Sequence, residues 1–503
     1  MNYPFWDVEM GYGILMALIA VVHVFVSHFA IGGGLYLVVV ERSARRHNDA
    51  RRLGFVQRLS KFFALTTVVF GALTGVGIWF IIGLLNPAAT EVLIHNFVWA
   101  WATEWCFFII EILAALLYYN GWKTMSARNH MIVGWIYFVA AWLSLAVIDG
   151  IIAFMLTPGG WLESGNFWDG FFNPTYWSSL VLRTGVCIML AGLYALLIAS
   201  REKDASFKSG LVRECAVWGL VGLAVVAASM FWFLADIPAS VMDTASKAMA
   251  IPMASIHLMW QLSALLGGVL VLFGLVLPKA YQPVVGVIVM ALGLAWFGSY
   301  EWFRESIRKP YVISGYMYAN ATEVGRAAEY QADGLLAHMP YRTGDDGADL
   351  FRRACRSCHT INGYNALKPV FDGMDRDYIA TAVMGTSKML GNMPPFLGTK
   401  AEATLIADHI YQQVDHRPIA EIYGLSGAAL GQKVYALRCG SCHVPGGHGS
   451  NTESYAGMEP GDLGDMLDMG ADLDDSMPTF IGTDEERQAL IEYLAMLGKG
   501  GAQ

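Results

Sequence analysis

The chain has 503 residues, is 55% hydrophobic and only 15% charged, and carries a formal net charge of −9. Average globular usage is about 25% charged, so lipid rather than water is the solvent expected for much of it. The acidic balance argues against nucleic acid as a partner. Composition shifts once, near residue 310: residues 10–300 are long apolar runs, and residues 320–503 read as ordinary soluble protein.

A membrane-spanning helix needs about 20 apolar residues. Eight such runs follow in order, at 12–40, 62–85, 97–120, 131–156, 178–199, 212–234, 254–277 and 282–300. Helix is the only open choice, because lipid offers no partner for a free peptide group. The loop after the first run carries Arg42, Arg45, Arg46, Arg51, Arg52, Arg58 and Lys61. The alternate loops add Lys123, Arg128, Arg201, Lys203, Lys208, Arg213 and Lys279, whereas the opposite loops hold only Lys247. Positive charge marks the cytoplasmic side. Eight spans then leave both ends, and all of the soluble part, on the outer side.

Polar residues inside spans are costly and usually functional. His23 and His28 lie on the first run, Glu104 and Glu111 on the third, Asp149 on the fourth, Arg183 on the fifth and His257 on the seventh. Glu301 and Glu305 follow the eighth. Glu104 and Glu111 are seven apart and share a helix face; His23 and His28 are five apart and point in different directions.

The soluble part carries the strongest signal. Cys355-Arg356-Ser357-Cys358-His359 and Cys439-Gly440-Ser441-Cys442-His443 are both C-x-x-C-H, the pattern of covalent c-type haem attachment. Two thiols add to the two haem vinyl groups, and the adjacent His is the proximal iron ligand. Met393, in Asn392-Met393-Pro394, and Met477, in Ser476-Met477-Pro478, are the candidate sixth ligands. Met389, Met466 and Met469 lack the following proline and rank lower. His359 to Met393 and His443 to Met477 are each 34 residues, and the two motifs are 84 apart. An amphipathic helical stretch follows each Met, at 400–413 and 483–498. This is one small domain repeated. The remaining cysteines, Cys106, Cys187 and Cys215, fall within spans and read as small buried residues.

The expected architecture is all-α. Residues 1–310 form a haem-binding helix bundle and 311–345 a linker. Residues 346–422 and 423–503 form the two c-type cytochrome domains.

The first 310 residues resemble subunit I of cytochrome bd-type oxidases. Four stretches carry the likeness: Ala20–Val26 around His23, Gly71-Ala72-Leu73-Thr74-Gly75, the Glu104…Glu111 helix closing on Gly121-Trp122, and Trp302–Pro310 with Glu305. The resemblance implies His23 as an axial haem ligand and Glu305 as the ligand of a high-spin b-type haem. It also implies proton-handling roles for Glu104 and Glu111. It implies two or three non-covalent haems of b or d type beside the two covalent haems c, and a second membrane subunit or a second copy of this chain.

The departures are informative. Arg183 stands where the family has a fifth-span His, and pairs with either a haem propionate or an acidic side chain. His257 is the available substitute ligand, His28 has no counterpart, and the family's long quinol loop is reduced to the residues between Asp236 and Ser255. Electrons are therefore expected to pass through the c haems. The expected protein is a multi-pass oxidoreductase of the bacterial inner membrane with its c domains in the periplasm. Its expected partners are membrane lipid and a periplasmic cytochrome c-like carrier, with quinone a further candidate. The alternative is a conduit between the quinol pool and periplasmic cytochromes, without oxygen chemistry.

Overall fold

The computed structural model describes residues 8–247, 250–389, 392–446, 449–473 and 477–500. Among them eight helices are long and apolar enough to cross a membrane. They are α1 (Tyr12–Arg46), α2 (Ala50–Leu85), α3 (Val98–Gly121), α4 (Ala127–Phe154), α5 (Tyr176–Ala199), α6 (Ala205–Asp236), α7 (Met253–Val276) and α8 (Pro283–Arg308). Each matches one of the eight apolar runs. Asp49 caps α2, Ser126 caps α4 and Asp204 caps α6 by accepting backbone N–H bonds. Residues 248–249, in the connection between α6 and α7, lie outside the described residues.

Helix α5 is the axis of the bundle: 72% of its apolar window is buried, against 17–39% for the other seven. Small residues let neighbouring backbones reach it. A Cβ placed on Gly32 of α1 would lie 1.8 Å from the Cys187 carbonyl oxygen, and one on Gly222 of α6 would lie 2.1 Å from the Met189 nitrogen. In lipid, where apolar burial does not drive association, such close approach supplies the packing energy. Cys187 and Cys215 are buried as expected, but Cys106 is exposed. It stands on the side of α3 turned away from Glu104 and Glu111, and that helix buries only one face.

The stretch expected as a linker is folded. Its residues Tyr311–Ile313 (β1) and Met317–Tyr318 (β2) form an antiparallel hairpin. Ser314 donates to the Met155 carbonyl at the end of α4 (3.0 Å), and Asn86 donates to the Ala319 carbonyl (3.5 Å). Both bonds seat the hairpin on one end of the bundle.

The soluble part repeats itself. Helices α9 (Asp346–Ala354), α10 (Arg376–Met384) and α11 (Lys400–Tyr411) correspond to α12 (Gly427–Arg438), α13 (Pro460–Met469) and α14 (Asp484–Gly498). The 84-residue offset persists in detail. Thr399 with Glu402, and Thr483 with Glu486, form identical capping boxes on α11 and α14. The same two buried glutamates then reach upstream: Glu402 accepts from the Leu335 and Leu336 nitrogens (3.0 and 2.8 Å), and Glu486 from the Ala420 nitrogen (3.3 Å). Each repeat thus ties down its own leading segment, starting near residue 335 and near residue 419.

Gly32→Leu meets a backbone atom that cannot rotate away, so it should cost about 3 kcal/mol or more, the upper range for overpacking. Thermal unfolding in detergent micelles should show the loss; an unchanged midpoint would mean that α1 and α5 are not in backbone contact.

Candidate functional site

In each c-type motif the chain comes off a helix, α9 or α12, whose last turn delivers the first cysteine. The His359 nitrogen donates to the Cys355 carbonyl (2.9 Å) and the His443 nitrogen to that of Cys439 (2.8 Å), so each motif closes as a single turn. The imidazoles are then fixed alike. His359 Nδ1 lies 3.2 Å from the Asn365 carbonyl oxygen, and His443 Nδ1 2.8 Å from that of Gly449. A carbonyl only accepts, so Nδ1 must carry the proton and Nε2 keeps its lone pair for a metal. Asn365 and Gly449, 84 residues apart, both take positive φ (51° and 59°) to present that carbonyl. A Cβ on Gly449 would lie 2.1 Å from the Cys442 carbonyl oxygen; the Asn365 side chain instead bonds the Cys358 carbonyl at 2.9 Å.

Burial pushes the Cys355 and Cys439 thiols up to about 12, and lowers His359 below its ordinary range. At neutral pH Cys355 and Cys439 are therefore protonated thiols and His359 a neutral imidazole. Met393 and Met477 are half-buried in matching turns; Ser476 lies outside the described residues.

Within the bundle two more histidines show the same arrangement. His23 Nδ1 is 3.1 Å from Thr74 Oγ1 of α2, and the Thr74 hydroxyl is itself donated to the Phe70 and Gly71 carbonyls (2.9 and 3.0 Å). The threonine oxygen therefore accepts, and His23 Nε2 stays open. His28 Nδ1 bonds the Val24 carbonyl (2.8 Å), and its Nε2 is buried without a partner. Its ring centroid is 5.4 Å from that of Phe297 on α8. The two histidines face α2 and α8 respectively, as their spacing predicts. Both fit an iron ligand through Nε2. His257 is exposed on α7.

Arg183 meets acidic side chains. Its guanidinium lies 2.8 Å from Asp149 and 3.5 Å from Glu301; Arg304 pairs with Glu301 at 2.8 Å, and Ser179 donates to Asp149 at 2.9 Å. A carboxylate is thus one partner of Arg183, as a buried guanidinium needs an opposite charge close by. Glu305 is half-buried at the end of α8 and paired with Arg308 and, at 2.8 Å, with Lys309. Glu301, one turn earlier, is the carboxylate that faces the bundle interior.

Glu104 and Glu111 share a face, as their spacing predicts. Glu104 accepts from Ser144 (2.9 Å) and Glu111 from Tyr137 (3.0 Å). Glu111, Tyr137 and Thr67 border a cavity of about 20 Å³, room for one water. A third pair was missed in the sequence: Glu41, fully buried at the basic end of α1, is bonded by Tyr118 (2.6 Å), Arg45 (2.6 Å) and His130 (2.9 Å). The signal was available on α4. His130, Tyr137 and Ser144 recur every seven residues, and each holds one of the three glutamates.

The first c domain sits on the end of the bundle that carries Glu305. Arg356 donates to the Val8 carbonyl (2.9 Å), the Tyr364 nitrogen to that of Met10 (3.2 Å), and Arg353 to those of Asn320 and Ala321 (3.3 and 3.0 Å). Lys309 lies within electrostatic reach of Cys358 and His359. The second c domain docks on the first: Tyr378 donates to the Arg438 carbonyl (3.0 Å), and Arg438 to that of Gly373 (3.2 Å).

Comparison with known proteins agrees with this layout. The family "Cytochrome bd terminal oxidase subunit I" matches residues 14–249, and "Cytochrome C oxidase, cbb3-type, subunit III" matches residues 342–410 and again 426–494. The solved bd oxidase from Geobacillus thermodenitrificans superposes with a TM-score of 0.52 at 16% identity, over 65% of this chain and 94% of that one; this shows a shared fold. No curated sequence matches. The c domains imply covalent haem c, and the bd subunit I family implies b- or d-type haems. The chain therefore joins a multi-pass membrane domain of the cytochrome bd oxidase subunit I type to two C-terminal cytochrome c domains of the cbb3 subunit III type.

Proposed function

We propose that this protein is a cytochrome bd-like terminal oxidase in which outer c-type haems exchange electrons with b- or d-type haems of the bundle, where oxygen is reduced. The observation that carries the reading is the seating of the first C-x-x-C-H motif on the bundle end at the head of α1, where Arg356 donates to the Val8 carbonyl (2.9 Å) and the Tyr364 nitrogen to that of Met10 (3.2 Å). Bound haem supplies one-electron redox chemistry in the c domains and oxygen chemistry in the bundle. The chain's own residues do the rest. His359 and His443 would hold iron through Nε2, with Met393 and Met477 the proposed sixth ligands. His23, anchored by Thr74, would hold a haem iron in the bundle through Nε2, and His28 offers a second buried nitrogen.

Oxygen reduction consumes protons, and α4 supports a route for them. Its polar residues are about 10 Å apart along the helix. They pass from Glu41 and His130 at the basic end, through Tyr137 and Glu111 beside the cavity, to Ser144 and Glu104. The basic end is the cytoplasmic one by charge bias. There Arg51, Arg52 and Arg58 pair with Asp204, Glu214 and Glu202 across two loops. The c domains then lie in the periplasm of a bacterial inner-membrane protein. A soluble cytochrome-like carrier is the proposed donor, and a second membrane subunit or a second copy the proposed membrane partner. Quinone remains the donor in the competing conduit reading.

Reduced-minus-oxidised spectra, taken with and without carbon monoxide, should show bands beyond those of haem c and a shift on carbon monoxide. His23→Ala should remove the shift and keep the c-type bands. Spectra of haem c alone, unmoved by carbon monoxide, would exclude the oxidase and leave the conduit. Glu111→Gln should slow turnover on the order of 10²-fold at unchanged haem content, with Tyr137→Phe between it and wild type; full activity in both would take the α4 stripe out of the proton route.

A further inference from the structure

The two c domains are joined head to tail. The motif-bearing edge of the first faces the bundle, and the corresponding edge of the second faces the first domain. The joint is built on Arg438, the residue before Cys439. Its side chain is 5% exposed, stacks over the Phe480 ring at 5.2 Å, and donates to the Gly373 carbonyl of the first domain at 3.2 Å. Glu486 of its own domain pairs with the guanidinium at 3.8 Å; Tyr378 of the first domain closes the contact on the Arg438 carbonyl, and Asp375 adds a weaker negative potential from that side. The receiving face of the first domain is therefore Gly373, Asp375 and Tyr378. It receives the Arg438 side chain from the edge of the neighbouring redox domain through a carbonyl, with Asp375 nearby, while Glu486 of that side chain's own domain is its ion-pair partner.

The repeat places a copy of that face on the second domain. Adding 84 to each position gives Gly457, Glu459 and Asp462. The backbone is reproduced: Gly373 and Gly457 have φ of 75° and 78°, and the helix that begins beside each, α10 or α13, carries the third residue. The surroundings differ. Tyr378 is buried under the second domain, whereas Gly457, Glu459, Asp462 and, one turn on, Asp465 are all exposed. The acidity differs too. Residues 423–503 hold twelve acidic and four basic residues, against nine and eight over residues 346–422.

We propose that Gly457, Glu459, Asp462 and Asp465 form the docking face for a small soluble electron carrier with Lys or Arg around its redox edge, seated as Arg438 is seated on the first domain. A second copy of this chain does not fit, because its own Arg438 is already buried in the joint. The step is a one-electron exchange: the carrier's iron is oxidised and the second domain's iron reduced, with no proton or bond transferred. Exposed charges around a small face give the fast, salt-sensitive, weak encounter that such an exchange needs. The proposal rests on the reading of a soluble carrier as donor, but not on oxygen reduction.

The test uses the full-length, haem-loaded protein in detergent, with mitochondrial cytochrome c as the basic probe and both proteins oxidised. Calorimetric titration then reads binding without turnover. Glu459→Gln/Asp462→Asn/Asp465→Asn keeps the side-chain oxygens that cap α13 while removing three charges. It should raise Kd roughly tenfold or more at low ionic strength, and added salt should abolish most of the difference. Glu329→Gln/Asp333→Asn/Asp346→Asn, three equal neutralisations on the first domain's side, should leave Kd within about twofold of wild type. Equal losses in the two triples would reduce the effect to general acidity, and no wild-type binding at low salt, or no loss in the first triple, would overturn the face. A carbon monoxide-silent protein that still binds the probe here would sink the oxidase and keep the docking site.

Discussion

The hydrogen bond made by one nitrogen of an imidazole fixes the ring's orientation and leaves the other nitrogen's lone pair open, and this arrangement recurs at four places in the chain. His359 and His443 commit Nδ1 to a carbonyl of a turn, His28 to the carbonyl one helical turn earlier, and His23 to a threonine whose own proton is already spent. The supporting structure differs in each case. In the c domains it is a left-handed residue, Asn365 or Gly449; in the bundle it is regular helix. What is common is a neutral ring with Nε2 open, two in the water-facing part and two in the lipid-facing part. The proposed relay of redox centres along one chain rests on that repetition.

Between the two pairs of histidines lies a buried cluster of Asp149, Arg183, Glu301 and Arg304. Two anions and two cations balance. Ion pairs in a low-dielectric interior rarely add stability over apolar packing, and removing one member leaves an uncompensated charge. The cluster occupies the end of the bundle against which the first c domain rests, one turn from Glu305 and Lys309. It therefore fixes α4, α5 and α8 relative to one another where the two parts of the molecule meet.

Much of this was legible in the residues. Eight apolar runs became eight helices because lipid leaves no other way to satisfy the backbone. The two C-x-x-C-H motifs and the 84-residue offset were visible because covalent chemistry tolerates no variation in spacing. Glu104 and Glu111 were expected on one face and are found there. Pairings between distant helices were less legible. Arg183 could be read as a propionate partner or a carboxylate partner, and only the approach of α4 to α5 brings Asp149 within 2.8 Å. Glu41 looked like one more residue beside a basic loop, until the fold brought Tyr118 and His130 onto it. The segment 311–345 carries apolar residues on both sides of Ser314-Gly315, but a hairpin this short does not stand alone; Ile313 and Met317 are buried in the bundle core, and bonds to Met155 and from Asn86 hold it there. Cys106 was misjudged because an apolar helix in lipid does not reveal, by composition, which face meets protein.

The most direct measurement is a stopped-flow record of the fully reduced protein mixed with oxygen, followed at the c-type and the embedded-haem bands together. Because the first motif rests on the bundle and the second rests on the first, both c-type signals should oxidise in the same turnover as the embedded band, and His359→Ala should leave the second c-type signal reduced. Embedded haem that oxidises while both c-type signals stay reduced would contradict the account.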